Sequence, residues 1–357
     1  RFDVYNVNPP LVKMVAALPV MAAGYKEDWS EFYEGVGARP EVAMGDDFVD
    51  VNGERTVFLG MIARWACIPF SWLGAVICYF WARDLFGRPS GVLACAIWCL
   101  EPSILAHASL ISPDAHAAAL GVAACYTFWR WLKYPIWSRA ILLGIILGLA
   151  ELTKTTLILF YPLWPLLWLG YRKFSYNEVP RHNWLREAMI LGFGMAIGVY
   201  VLNLGYGFEG SLKKLKDYHF VSKLFAQPEQ GNLESTNRFA GSFFGSLPVP
   251  APKDYVLGVD LQQKDFEHYG RPSYLRGVWR DHGWWYYYLY ACAIKVPLGL
   301  WTLGLLAVVT VAFCSTVPRI DNSYGDLLVL LVPSLAIFAV VSMKAGFSEH
   351  MRYVLPS

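Results

Sequence analysis

The chain has 357 residues, of which 56% are hydrophobic and 16% charged, with a mean hydropathy of +0.36. Soluble domains carry about 25% charged residues, so this composition excludes an ordinary soluble domain and indicates a membrane protein. The net charge is +2, and no basic run interleaved with aromatics stands out, so nothing points to nucleic acid.

All seven cysteines (Cys67, Cys78, Cys95, Cys99, Cys125, Cys292, Cys314) lie inside apolar runs. Neither a disulfide framework nor a cysteine zinc site is expected. The sequence opens at Arg1 and stops at Ser357 within a motif-like stretch, and it reads as a fragment lacking both ends.

Residues 1–8 are polar. Pro9-Pro10 then opens an apolar stretch, 11–24, shorter than the roughly 20 residues of a spanning helix. Its brevity and Lys13 predict a helix lying at the interface. From 26 to 55 nine carboxylates face Lys26, Arg39 and Arg55. Gly45-Asp46-Asp47-Phe48-Val49-Asp50 offers carboxylates to a divalent cation, but the spacing is not an EF-hand loop. A solvated acidic loop is the simpler reading.

Spanning segments are expected at 57–81, 91–111, 114–131, 140–152, 155–170, 188–206, 285–313 and 327–343. The loop cations form four groups: Arg83 and Arg88; Arg130, Lys133 and Arg139; Arg172, Lys173, Arg181 and Arg186; and Arg319. Counting spans puts all four on one side, which the positive-inside rule makes cytoplasmic. The opposite side receives 1–55, Ser112 to Asp114, Lys154, 207–283 and 348–357. The expected fold class is an all-α polytopic membrane protein with about eight spanning helices, an interfacial helix and a small extracytoplasmic α/irregular region. The expected units are a first extracytoplasmic segment (1–56), transmembrane helices (57–206), an extracytoplasmic region (207–284) and C-terminal transmembrane helices (285–357). Prolines at 248, 250 and 252 forbid regular structure locally. Trp284 to Tyr288 reads as an aromatic belt where the chain re-enters the bilayer.

Six places carry polar residues that the bilayer makes costly. Asp114, after Ser112-Pro113, stands at the start of a helix near the membrane boundary, where a carboxylate is either reactive or a cap favoured by the helix dipole. Lys154 lies between two short apolar segments, where broken spans line cavities. It holds a phosphate, snorkels to the interface, or pairs with Glu151. Lys295 stands roughly 15 Å along a helix from the aromatic belt, and Pro297 predicts a kink. His350, Arg352 and Tyr353 form either a phosphate-binding group or an interfacial anchor. His107, within two turns of Asp114, is either a pocket residue or a satisfied buried histidine. Glu101 is about 20 Å from Asp114 along a helix and forms no carboxylate pair with it.

With these residues in view, the chain resembles the polytopic GT-C glycosyltransferases. It is most similar to the dolichyl-phosphate-mannose–protein mannosyltransferase-like family, which includes bacterial aminoarabinose lipid A transferases. Asn8-Pro9-Pro10-Leu11 resembles a His-Pro-Pro-Leu motif, and Ser112-Pro113-Asp114 a second external Asp motif. Gly148 to Lys154 resembles a helix ending in Thr-Lys. Lys295 to Leu298 and Arg352-Tyr353 resemble late Lys-x-Pro-Leu and Arg-Tyr motifs. Asn8 departs from the His or Lys of relatives. The family's first external acidic residue is expected before Arg1, which leaves Asp3 as a weaker catalytic candidate.

The resemblance implies transfer, with inversion, of a sugar from a polyprenyl-phosphate donor to a protein, lipid or glycan acceptor. It places the site on the extracytoplasmic side of an inner or plasma membrane. Asp114 would serve the acceptor hydroxyl. Lys154, Lys295 and Arg352 would contact the donor phosphate, with Asn8, His107, His350 and Tyr353 lining the cleft. The resemblance requires no cofactor and leaves a divalent cation open. Two rival readings are a transporter or flippase for a polyprenyl-linked lipid, and a non-catalytic receptor using 207–283.

Overall fold

A computed structural model of the chain describes residues 2, 4, 6–174, 183–227, 236–267, 272–313 and 324–344. It is predominantly helical. In chain order the helices are α1 (Leu11–Ala23), α2 (Glu41–Asn52), α3 (Arg55–Trp65), α4 (Ile68–Phe86), α5 (Arg88–Leu100), α6 (Pro102–Ala108), α7 (Asp114–Lys133) and α8 (Trp137–Glu151). After a 3-10 turn at Thr155–Leu159 come α9 (Phe160–Phe174) and α10 (Trp184–Gly205). The region beyond 207 holds β1 (Ala226–Gln227) paired antiparallel with β2 (Thr236–Asn237), then α11 (Lys253–Glu267), then β3 (Ser273–Leu275) paired antiparallel with β4 (Val278–Arg280). The chain returns through α12 (Tyr287–Lys295), α13 (Leu298–Phe313) and α14 (Tyr324–Lys344).

Among the described residues, three helices are long and apolar enough to cross a membrane: Arg55–Phe86, Trp184–Gly205 and Tyr324–Met343. Two bent pairs, α5 with α6 and α12 with α13, raise the number to five. The expected eight are therefore not all met by length and composition. Helix α7, which contains the 114–131 segment, carries Asp114, Arg130 and Lys133, and α8 and α9 have 15 residues each.

Several expectations change in detail. The 91–111 segment breaks by 60° at Glu101. Glu101 takes an extended conformation and its carboxylate accepts the Ile104 N–H at 2.7 Å, capping α6 just ahead of Pro102. The 285–313 segment breaks by 99° after Lys295, where Pro297 cannot continue the ladder. The acidic stretch 26–55 is not all loop, because Asp46, Asp47 and Asp50 ride on α2. The region expected to be extracytoplasmic adds two short antiparallel strand pairs to its helix. Of the expected aromatic belt, Trp285 is exposed, whereas Trp284, Tyr287 and Tyr288 pack into the core.

The hub is α7, with 17 of its 20 residues buried. Ala and Gly from Ala115 to Ala124 let neighbours approach, and the second half fills space with rings. Phe128 stacks on Trp164 at 4.8 Å, and Trp164 on Phe160 at 5.5 Å. Beside it, α8 and α10 pack through facing glycines. A Cβ on Gly144 would lie 2.2 Å from the Gly194 carbonyl, and one on Gly148 would lie 2.6 Å from the Gly198 carbonyl. Both helices thus carry the small-xxx-small spacing that brings membrane helices together. Along α13, residues 301–310 are exposed apolar or hydroxyl side chains, as suits a lipid-facing helix.

Polar side chains gather at both ends of α7. At its C-terminal end, Lys133 Nζ lies 2.9 Å from the buried Asp326, whose other oxygen accepts from Trp129 Nε1 (2.6 Å) and Tyr171 Oη (3.3 Å). Close by, buried Arg172 pairs with Glu187 at 2.8 Å and donates to the Leu132 carbonyl. Two cations from the predicted cytoplasmic loops are thus held in ion pairs. At the N-terminal end stands Asp114. The helix between them spans about 30 Å, the thickness of a bilayer's hydrocarbon core.

Candidate active site

Asp114 is the first residue of α7, and Pro113 before it makes no side-chain cap. The carboxylate is 3% exposed. It is placed by the break of a different helix. The last turn of α8 ends at Glu151, and Thr153 Oγ1 bonds the Ala150 carbonyl. Lys154 then takes an extended backbone before the 3-10 turn. That break swings the lysine across to α7, where Nζ meets Asp114 Oδ1 at 2.8 Å with both side chains buried. Pairing of Lys154 with Glu151, open from the sequence, does not occur. Glu151 is buried, and its Oε1 lacks a hydrogen-bond partner among the described residues.

The Asn8-Pro9-Pro10-Leu11 segment meets the same break. Pro9 and Pro10 are buried, and Leu11 N–H donates to the Leu152 carbonyl at 3.0 Å. Asn8 is half-buried, and its carbonyl accepts from Lys13 Nζ at 3.0 Å. Burial pushes the Lys13 amine down to about 8, against the opposing pull of the Glu41 carboxylate.

Helix α11 completes this end. Gln262 Oε1 accepts from Thr155 Oγ1, next to Lys154. One turn earlier, α11 approaches so closely that a Cβ on Gly258 would lie 2.0 Å from the Asn6 carbonyl. Tyr255 seals an apolar cluster with Leu152, Leu202 and Tyr206, against which Phe2 and Leu11 pack.

The other predicted residues fare differently. His107 sits half-buried in the last turn of α6, and its Nδ1 has no hydrogen-bond partner among the described residues. The histidine built into the start of α7 is instead His116. Its Nδ1 donates to the Ser112 carbonyl at 2.6 Å, and its ring meets Phe70 edge-on at 5.0 Å. Lys295 is exposed at the end of α12, beside the 99° bend, and is not brought into the buried pair. Asp3, His350, Arg352 and Tyr353 lie outside the described residues.

Sequence reasoning gave no role to His116, Thr155 or Gln262. For His116 and Thr155 the signal was adjacency to Asp114 and Lys154. For Gln262 there was none, since its contact spans 107 positions. Chemically, the assembled end offers a carboxylate, an ammonium group held against it, and buried oxygen and nitrogen atoms in an apolar surround. A carboxylate in that setting can accept a proton, and the ammonium can meet a phosphate.

A search of curated proteins and a search of solved structures each found no match. Residues 58–201 match the family model described as dolichyl-phosphate-mannose-protein mannosyltransferase. The matched stretch contains Asp114 on α7 and Lys154 in the break that follows α8. It supports the resemblance to the GT-C mannosyltransferase-like glycosyltransferases, a membrane family, over the part of the chain that builds the buried pair.

Proposed function

We propose that the protein is a membrane glycosyltransferase that moves a sugar from a polyprenyl-phosphate donor to an acceptor hydroxyl. The observation that carries this reading is the buried Asp114–Lys154 pair, seated at a helix break within the stretch that matches the family model. A buried ion pair is a weak device for stability, because desolvation offsets most of its attraction. Its placement at one end of a 20-residue helix, opposite a second polar layer, suits a site at a bilayer face.

In the proposed reaction, Asp114 accepts the proton of the acceptor hydroxyl as that oxygen attacks the sugar's C1. The C1–O bond to phosphate breaks with inversion, and its electron pair leaves on the phosphate oxygen. Lys154 supplies positive charge to the departing phosphate. When donor phosphate enters, Lys154 is shared between it and Asp114, which frees the carboxylate for the acceptor. Lys295 and Arg352 are proposed as further phosphate contacts and Asn8, His350 and Tyr353 as cleft residues. Asp3 is a weaker acidic candidate.

The proposed topology has eight crossings. It counts α7, α8 and α9 as spans sheltered by neighbours and places the Lys133 and Arg172 layer in the cytoplasm. Asp114 and α11 then face the extracytoplasmic side.

The test is transfer of label from a polyprenyl-phosphate sugar by full-length protein in liposomes. Loss of transfer in Asp114→Asn and Lys154→Ala, with donor still bound by Asp114→Asn, is the expected result. Wild-type transfer by Asp114→Asn overturns the assignment.

A further inference from the structure

A cavity of about 330 Å³ lies apart from the buried pair, between the 32–38 turn and α11. That volume falls at the low end of ligand-sized pockets, roughly 300–1,000 Å³. It admits a small ring with substituents and excludes a folded protein surface.

Its walls are fixed. Gly37, at φ +71°, lets the turn lie against Val221, where a Cβ would come within 3.2 Å of the valine. Arg39 pairs with Asp265 of α11, which ties the turn to the helix. Tyr33 donates its hydroxyl to the Arg39 carbonyl at 2.9 Å, while half of the residue remains exposed at the cavity. Tyr33 is thus a ring held by its own tip with surface left open. Such a platform stacks on an apolar sugar face at little entropic cost.

The polar lining narrows the ligand. The lining carries Lys213 and Lys253 with Glu34, Asp254 and Asp260, one more carboxylate than ammonium groups, which disfavours an anionic ligand. Both carboxylate oxygens of Asp260 are already taken by the Val221 and Ser222 N–H groups, at 2.7 and 3.0 Å. Among the buried polar atoms of the wall, Tyr218 Oη and Asn6 Oδ1 have no hydrogen-bond partner among the described residues. A hydroxyl donates and accepts at once and so answers both atoms, whereas a phosphate oxygen only accepts. Burial and the Asp254 charge push the Tyr218 phenol up to about 12, so it keeps its proton as a donor.

The cavity also has an address. Asp254, Leu257 and Leu261 line it from one face of α11. Gln262, the residue after Leu261, bonds Thr155, and Thr155 follows Lys154, which holds Asp114. We propose that this cavity is a subsite for a neutral saccharide and that it seats the glycan part of the acceptor. The word acceptor rests on the transferase reading. Saccharide binding does not.

The test is saturation-transfer NMR on the full-length protein in nanodiscs, with methyl glycosides of glucose, galactose, mannose and N-acetylglucosamine as probes. Transfer to at least one glycoside is expected. Leu257→Trp, which fills the cavity, and Tyr33→Ala, on the exposed turn, should each weaken binding about tenfold, near 1.4 kcal/mol. Gly192→Ala, at an open position on α10, should bind as wild type. No transfer to any probe, or transfer unchanged in both cavity variants, overturns the subsite. Binding that persists in a protein unable to turn over a polyprenyl-phosphate sugar would keep the subsite and overturn the transferase reading.

Discussion

Leu11 N–H and Leu152 C=O join the first turn of one helix to the frayed end of another, at 3.0 Å. Helix starts leave donors unpaired and helix ends leave acceptors unpaired. Here one orphan of each kind satisfies the other, 141 positions apart by subtraction of their numbers. This bond brings the Pro9-Pro10 motif to the break that delivers Lys154.

The buried pair predicts non-additive stability. Removing one partner strands a buried charge, at a cost of about 3–5 kcal/mol. Lys154→Met should destabilise by that order in detergent unfolding, and Asp114→Asn by less, since an amide still accepts the lysine's hydrogen bond. Asp114→Leu with Lys154→Met should be milder than Lys154→Met alone. A double-mutant cycle with no coupling between the two sites would contradict this.

The α8–α10 contact predicts intolerance of volume. Gly144→Val and Gly148→Val each push a side chain into the Gly194 or Gly198 carbonyl. Each should destabilise by about 1–3 kcal/mol or force the helices apart. Gly148→Val should also lower activity by shifting Leu152 and Lys154, which follow on the same helix end. By contrast Gly192, whose Cβ position is open, should accept Ala with little change in melting temperature.

At the opposite end of α7, Asp326 gathers Lys133, Trp129 and Tyr171. Asp326→Ala should cost about 3–5 kcal/mol, as loss of a buried partner does, and Asp326→Asn less. Neither should alter the KM for donor, because this cluster lies about 30 Å from Asp114 along α7. A raised KM with unchanged stability would show that the two ends are linked.

Lys13 predicts a pH dependence. The folded chain releases the Lys13 proton near pH 8, and the unfolded chain holds it to about 10.5. Between those values the unfolded state binds more protons, so stability rises with pH. Below pH 8 both states are charged and the burial penalty is fully felt. Measured against Lys13→Met, wild type should therefore gain stability from pH 8 to 10.5, and a flat difference would remove the assignment.

Much of the helix plan was legible because hydropathy alone separates bilayer from water. Helix α1 fell at 11–23 against an expected 11–24, and α10 at 184–205 against 188–206. The breaks were harder to read. Pro297 announced the 99° bend, but the 60° bend depends on Glu101 turning its carboxylate onto Ile104, which an apolar average hides. Helix α2 was hidden for the opposite reason, since its acidic face lowers hydropathy without forbidding a helix. In the site, Asp114 and Lys154 were each legible as costly polar residues. Their pairing was not, because Glu151 stood closer in sequence and only the extended backbone at Lys154 turns the amine elsewhere. Gln262 had no sequence signal at all, and its role comes entirely from where α11 docks.

The docking of α11 has a consequence for how the molecule is made. Helices α7 and α8 emerge from the ribosome about a hundred residues before Gln262 exists to meet Thr155, at a separation of 107. Until α11 arrives, Leu152, Leu202 and Tyr206 lack the Tyr255 ring that later covers them. The nascent chain thus carries an uncapped greasy hollow through much of its synthesis. Closing that hollow waits for α11, and the main core waits longer still, for Tyr288 of α12 and Val329 of α14 to pack into it.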